Sequence, residues 1–251
     1  MELKTNAKNL NLNLNLCYLS TMLTELENAL IKNRADFHPV IDFDPVKEKL
    51  FPFDFTDNNK VLGASEITDT KLLDDYINRT LKTQKAKFGI GGYKENRTLY
   101  RRSELFAGEE CRSLHLGVDI WGPAGTPVYA ALGGMVHSFA FNDNFGDYGA
   151  TIILLHQLET IAFHTLYGHL SLADISALSE GAYINRGQVI GRFGEPAENG
   201  NWPPHLHFQI IHNLYLKEGD YPGVCTVAEA EAYLNNCPDP DMILNMMKYV
   251  K

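Results

Sequence analysis

Cysteine is scarce in this chain and never clustered: Cys17, Cys111, Cys225 and Cys237 stand far apart, and no CxxC occurs. That spacing excludes a cysteine-based zinc finger and offers no disulfide framework, so reduced thiols in a cytoplasmic chain are the expectation. No apolar run approaches the roughly 20 residues a membrane-crossing helix needs, and no membrane span is expected. The opening "MELKTNAKNLNLNLNLCYLS" interrupts its leucines with asparagines and so lacks the continuous apolar core of a secretory signal. A periplasmic or cell-envelope location would require a signal missed here or trimmed away. Positive charge is also in deficit: 22 Lys and Arg against 31 Asp and Glu give a net charge of −9. Phosphate binding rests on clustered basic residues, so nucleic acid is excluded as the main partner. An HExxH helix, which carries zinc and a glutamate base together, is absent.

What is present changes texture near residue 110. Residues 1–110 read as an accessory helical or irregular region. They hold an Asn-Leu alternation over 9–16, a helical spacing of Leu19, Leu23, Leu26 and Leu30, and the linker-like "FHPVIDFDPVKEKLFPFDF". A second helical pattern, Leu72, Leu73, Tyr76 and Ile77, follows the capping pair Thr68 and Asp69. Residues 111–215 instead offer short β-branched and aromatic runs broken by glycine, among them "MVHSFAF", "ATIILLH", "TIAFHTLYGHL" and "HLHFQII". Residues 216–251 read as a helical extension, interrupted at Pro238 and Pro240, that packs on this unit. The fold class is therefore mainly β, a twisted antiparallel sheet or sandwich with α-helical additions at both ends.

Three polar elements lie within the β-rich segment. In "HLGVD", His115 and Asp119 are four apart, and Gly117, Gly122, Pro123 and Gly125 argue against a helix; on an extended chain both side chains leave the same face. Taken alone, the pair reads as a His-Asp hydrogen bond at a strand end. In "HLHFQII", period-two geometry puts His205, His207 and Gln209 on one face and Leu206, Phe208 and Ile210 on the core face. The third element, "FHTLYGHL", ends a strand with His169. A catalytic zinc takes three protein ligands and keeps one open position, so five such groups would leave two for acid-base work. His38, His137, His156, His164 and His212 have no comparable spacing and read as ordinary polar residues.

The ordered set "HLGVDIWGPAGTPVYAALGGMV", "DYGATIILLH", "TLYGHLS", "EGAYINRGQVIGRFG" and "PPHLHFQI" resembles the lysostaphin and LytM-type zinc metallopeptidases, over roughly residues 112–212. The resemblance implies a sheet built from a duplicated hybrid motif and one Zn²⁺ per chain on His115, Asp119 and His207. It further implies that His169 and His205 handle protons and developing charge, His205 favoured as base beside His207 and His169 as donor, or the reverse, and that the substrate is a peptide, in peptidoglycan cross-links, in glycine-rich bridges, or a non-wall peptide inside the cell. Loops 141–149 and 195–204 would wall the cleft through Phe145, Tyr148 and Trp202. Arg97, Arg101 and Arg102 would meet a substrate carboxylate or simply carry surface charge. A metal-free regulatory module would lack the ligand set, and a lipoyl-type carrier would need a lysine where Gly133 and Gly134 stand. The spacing says nothing about oligomeric state.

Overall fold

The computed structural model of the protein describes residues 23–106 and 111–250. Two strands come from the N-terminal region, β1 (Leu50–Phe53) and β2 (Phe88–Gly91). Ten more follow: β3 (Leu114–His115), β4 (Val118–Trp121), β5 (Pro127–Tyr129), β6 (Gly134–Asn142), β7 (Gly149–Leu158), β8 (Ile161–Leu170), β9 (Tyr183–Ile184), β10 (Val189–Arg192), β11 (His205–Ile211) and β12 (Val224–Cys225). One eight-stranded sheet runs β1-β2-β4-β11-β8-β7-β6-β9, and two ribbons pair β10 with β5 and β12 with β3. The molecule is mainly β, with most of its helices toward the two ends and one short helix, Leu172–Ile175, between β8 and β9.

The alternation in "HLHFQII" is realised: Leu206, Phe208 and Ile210 are fully buried in the main core, together with Ile152 and Leu154 of β7 and Tyr167 of β8. Burying side chains of this size stabilises by roughly 1.5–3 kcal/mol each, which is what holds β11 in the middle of the sheet.

The N-terminal region differs from its sequence reading. Two of its helices form where expected, while an unexpected short one, α2 (Ala64–Thr68), takes in Thr68 and leaves Asp69 as the only cap. Asp69 caps α3, which is the third helix of the chain and spans Thr70–Gln84, by accepting from the Leu72 amide; Leu73, Tyr76, Ile77 and Leu81 are buried. The first helix, α1 (Glu25–Lys32), starts on a Thr24–Glu27 capping box and buries Leu26 and Leu30. Leu19 and the Asn-Leu alternation lie outside the described residues. The region is nevertheless not only helical or irregular, because β1 and β2 extend the main sheet beyond β4, β2 antiparallel to β4 and β1 parallel to β2. That parallel pair makes the sheet mixed, not purely antiparallel. Four-residue runs such as "LFPF" and "FGIG" are too short to show a period, and their pairing depends on a strand some 30 residues further on. Pro52 is tolerated because β1 is the outermost strand, where a missing amide breaks little of the ladder.

A second core cluster joins this region to the sheet: Phe53, Phe55, Leu73 and Tyr76 pack in one group with Trp121, Trp202 and Val224. At the other end, α5 (Ala230–Asn236) stops before Pro238 and α6 (Asp241–Leu244) buries Ile243 and Leu244 in the main core.

Candidate active site

His115 and Asp119 do not share one strand, as the four-residue spacing had implied. The chain breaks at Leu116 and Gly117, so that β3 pairs with β12 while β4 pairs with β11 and β2. Gly117 permits this: a Cβ there would lie 2.4 Å from the ring of His207 and 2.9 Å from the Phe208 carbonyl. The neighbouring imidazole therefore occupies the space a side chain would need. Across the sheet, His207 is in register with Asp119 on one side and Gly168 on the other.

These three side chains converge. His115 Nε2 lies 3.0 Å from His207 Nδ1, and Asp119 Oδ1 lies 3.0 Å from His207 Nδ1 and 3.3 Å from His115 Nε2. The protons on the rings are set from behind. His115 Nδ1 donates to the Gly92 carbonyl at 3.0 Å, which leaves Nε2 as a lone pair. The Gln209 amide donates to the Pro222 carbonyl and turns its own Oε1 to His207 Nε2 at 2.9 Å, which leaves Nδ1 as a lone pair. Burial, with Arg97 nearby, pushes His115 down to about 4. Burial also opposes the charge on Asp119, but its surroundings, the Arg97 guanidinium among them, outweigh it and hold the carboxyl well below its ordinary range.

Three acceptor atoms thus face one point with no proton of their own to share, an arrangement that repels unless a cation joins it. Tetrahedral ligands at about 2.1 Å from an ion stand roughly 3.4 Å apart, close to the separations here. Among the described residues this is the one cluster of three such groups that could hold a metal ion.

His169 and His205 form a second pair. The rings lie 4.1 Å apart between centroids, tilted by 30°, and Trp121 stacks on His205 at 3.9 Å. Because Gly168 is the residue opposite His207, a regular β8 would turn His169 to the core; its left-handed φ of 62° breaks the alternation. Three hydrogen bonds hold that conformation: His169 N to Tyr148 O, Gly194 N to His169 O, and Nδ1 to Asn199 O at 2.8 Å. His205 Nδ1 donates in the same way to Pro203 O at 2.7 Å. Each ring therefore keeps Nε2 as its acceptor. Burial pushes His205 down to about 4, and burial together with His205 and His207 drives His169 well below its ordinary value. Both are neutral bases at neutral pH.

Asp119, His169, His205, His207, Tyr148 and Trp202 line one cavity of about 190 Å³, with His115 directly behind it. Tyr148 is buried, its hydroxyl is 3.4 Å from His207 Nε2, and burial raises its phenol well above the ordinary range, so the proton stays on. Phe145 is 44% exposed and is not among the residues lining the cavity.

Arg97 is not a surface charge, and it lines the same cavity. It is 2% exposed, its Nη1 donates to Asp119 Oδ2, and its Nε donates to Glu95 at 2.5 Å. The side chains of Arg101 and Arg102 fall outside the described residues. Sequence reasoning missed Asn199, Gly92 and Trp121. Asn199 is fully buried and knits loop 194–202 through Gly194 O, Trp202 O and Trp202 N. Only the density of Asn and Gly in that loop hinted at it.

Residues 113–218 match the model of a known family, Peptidase family M23. Over 101 residues the chain is 34% identical to the DD-carboxypeptidase/endopeptidase Mpg of Neisseria meningitidis serogroup B, a match that covers 40% of this chain and 20% of that protein. It is 31% identical over 99 residues to the peptidoglycan DD-endopeptidase ShyC of Vibrio cholerae, covering 39% of this chain and 20% of the relative. A solved structure of a zinc-containing peptidase from Vibrio cholerae is 29% identical, with a TM-score of 0.32 over 39% of this chain and 27% of that one. The chain thus spans about a fifth of the length of these curated relatives. No helix of the described residues is long and apolar enough to cross a membrane.

Proposed function

We propose that this chain, whose residues 113–218 carry the Peptidase family M23 domain, is a zinc-dependent endopeptidase acting on peptidoglycan cross-link peptides. The observation that carries the reading is the convergence of His115 Nε2, Asp119 Oδ1 and His207 Nδ1, three proton-free acceptors at the wall of a cleft. The donor set fits zinc: two imidazoles and one carboxylate, each oriented by a partner behind it. Zinc bound there supplies Lewis-acid polarisation of the scissile carbonyl and acidifies water toward neutral pH.

The remaining steps belong to the protein. His169 and His205 both present Nε2 lone pairs, so either accepts the proton of the attacking water at pH 7. Each disfavours a charge on the other across 4.1 Å, so the pair carries one proton at a time. That proton then passes to the leaving amine. Neither ring has a proton on Nε2 at the outset, so donation to the developing oxyanion falls to Tyr148, whose phenol stays protonated. The sequence favoured His205 as base and His169 as charge-stabilising donor, with the reverse left open; here the two share the base role. Trp202 closes one wall, while Phe145 contributes little.

Metal analysis combined with digestion tests this reading. Purified protein should hold about one zinc per chain and release cross-linked stem peptides from wall fragments, identified by mass spectrometry. Zinc retained with no cleavage of wall or glycine-rich peptides would favour a silent binding module.

A further inference from the structure

The matched family domain begins at residue 113, yet its metal ligands are oriented by residues that precede it. Gly92 supplies the carbonyl that sets the His115 tautomer. Gly91 sits opposite Asp119 on β2, and a Cβ there would lie 2.5 Å from Arg97 Nη2. The absence of a side chain at Gly91 therefore leaves the room in which the guanidinium reaches the carboxylate. Glu95 braces Arg97 from the other side through Nε, and Glu95 is itself fixed by accepting from the Phe55 amide at 3.1 Å.

We infer that segment 91–97 is a positioning element of the metal centre, in which Arg97 holds Asp119 by Oδ2 so that Oδ1 alone is offered to the ion. The inference rests on the zinc reading above and adds residues to it. A carboxylate with both oxygens free can take two positions on an ion; with Oδ2 engaged it takes one, and the open position needed for catalysis is preserved. Arginine suits the task because its planar fork holds Glu95 and Asp119 at once, whereas lysine offers a single point of charge. Its Nη2 has no hydrogen-bond partner among the described residues, which costs about 1–3 kcal/mol for a buried donor.

Three variants of the full chain test this, read by zinc affinity in chelator competition and by the visible spectrum of the Co²⁺-loaded protein. Arg97→Met should weaken zinc binding about 10- to 100-fold, the range for loss of an outer-shell partner. Its cobalt bands should weaken as coordination rises above four. Arg97→Lys should fold, keep the charge and still show the altered spectrum. Gly91→Ala removes no polar group but displaces the guanidinium, and should weaken zinc binding about 10-fold. If Arg97→Met does not fold, the other two variants decide. Wild-type affinity and an unchanged cobalt spectrum in folded Arg97→Lys and Gly91→Ala would overturn the inference while leaving the zinc reading intact. A wild-type protein that holds no metal would overturn both.

Discussion

Two groups of histidines occupy opposite ends of the same strands. At one end of β8, His169 meets His205, and on the neighbouring β11 His207 meets His115 and Asp119. At the other end, His164 lies opposite Ile211 on β11 and 5.1 Å from the ring of His137, with His156 on the adjacent β7. Both groups are rich in imidazole, and both include rings pushed down to about 4 by burial. The difference lies in where the free lone pairs go. His156 spends both nitrogens, on Gly133 O at 3.0 Å and Thr165 Oγ1 at 2.7 Å, and no carboxylate joins that group in a metal-holding cluster among the described residues. At the site end every ring gives one nitrogen to an acceptor behind it and keeps the other for the cleft or, in His115, for the Asp119–His207 cluster. A lowered histidine pKa by itself therefore marks burial, and the direction of the unspent nitrogen marks a site.

The sharpest way to break the comparison is to remove a ligand at one end and a histidine at the other. Asp119→Ala should abolish zinc retention and lower turnover by about 10⁴-fold or more, since both Lewis-acid and hydroxide chemistry go with the metal. His164→Asn should leave zinc content and turnover as in wild type. Metal analysis of both proteins settles whether the two groups really differ.

Within the site, the two histidine pairs should separate in turn. His169→Ala and His205→Ala should each keep zinc while losing about 10²–10⁴-fold in turnover, the range for a lost proton-transfer group. Loss of zinc from His205→Ala, with retention in His207→Ala, would mean that ligand and base are exchanged.

The far group should declare itself through acid stability. His156 is 1% exposed, and its folded value of about 4 lies below the ordinary 6.5. Between those values the unfolded chain binds the proton and the folded chain does not. Its contribution is therefore complete above pH 6.5 and is lost as pH falls toward 4, at about 1.4 kcal/mol per pH unit, or about 3 kcal/mol in all. Urea midpoints of the metal-free protein should fall across that window, and His156→Gln should flatten the slope. An equal slope in the variant would place the titration elsewhere.

Two smaller effects sharpen the picture. Gln209→Leu removes the acceptor behind His207 and should weaken zinc binding about 10- to 100-fold in chelator competition. Phe145→Ala, outside the cleft lining, should shift KM by less than about twofold, within the ±0.5 kcal/mol of an ordinary surface change.

Much of this was legible before folding. The strict alternation of "HLHFQII" assigns Leu206, Phe208 and Ile210 to the core and His205 and His207 to the other face, because strand geometry is local and has a period of two. Asp69 before α3 and Pro238 after α5 mark helix ends for equally local reasons. The exclusion of His156 and His164 likewise followed from spacing. Other features exist only through distant pairing. β1 and β2 become strands because β4 offers an edge, and His169 turns to the cleft because Tyr148, Asn199 and Gly194, remote from it in sequence, hold a left-handed backbone. Arg97 is the clearest case. Its type and position point first to a surface charge and second to a substrate contact, and only the docking of β2 beside β4, with no side chain at Gly91, aims it at Asp119. Local periodicity determined which residues could form a site, and long-range strand pairing decided which atoms of those residues meet, because the reach of a hydrogen bond is far shorter than the chain between its partners.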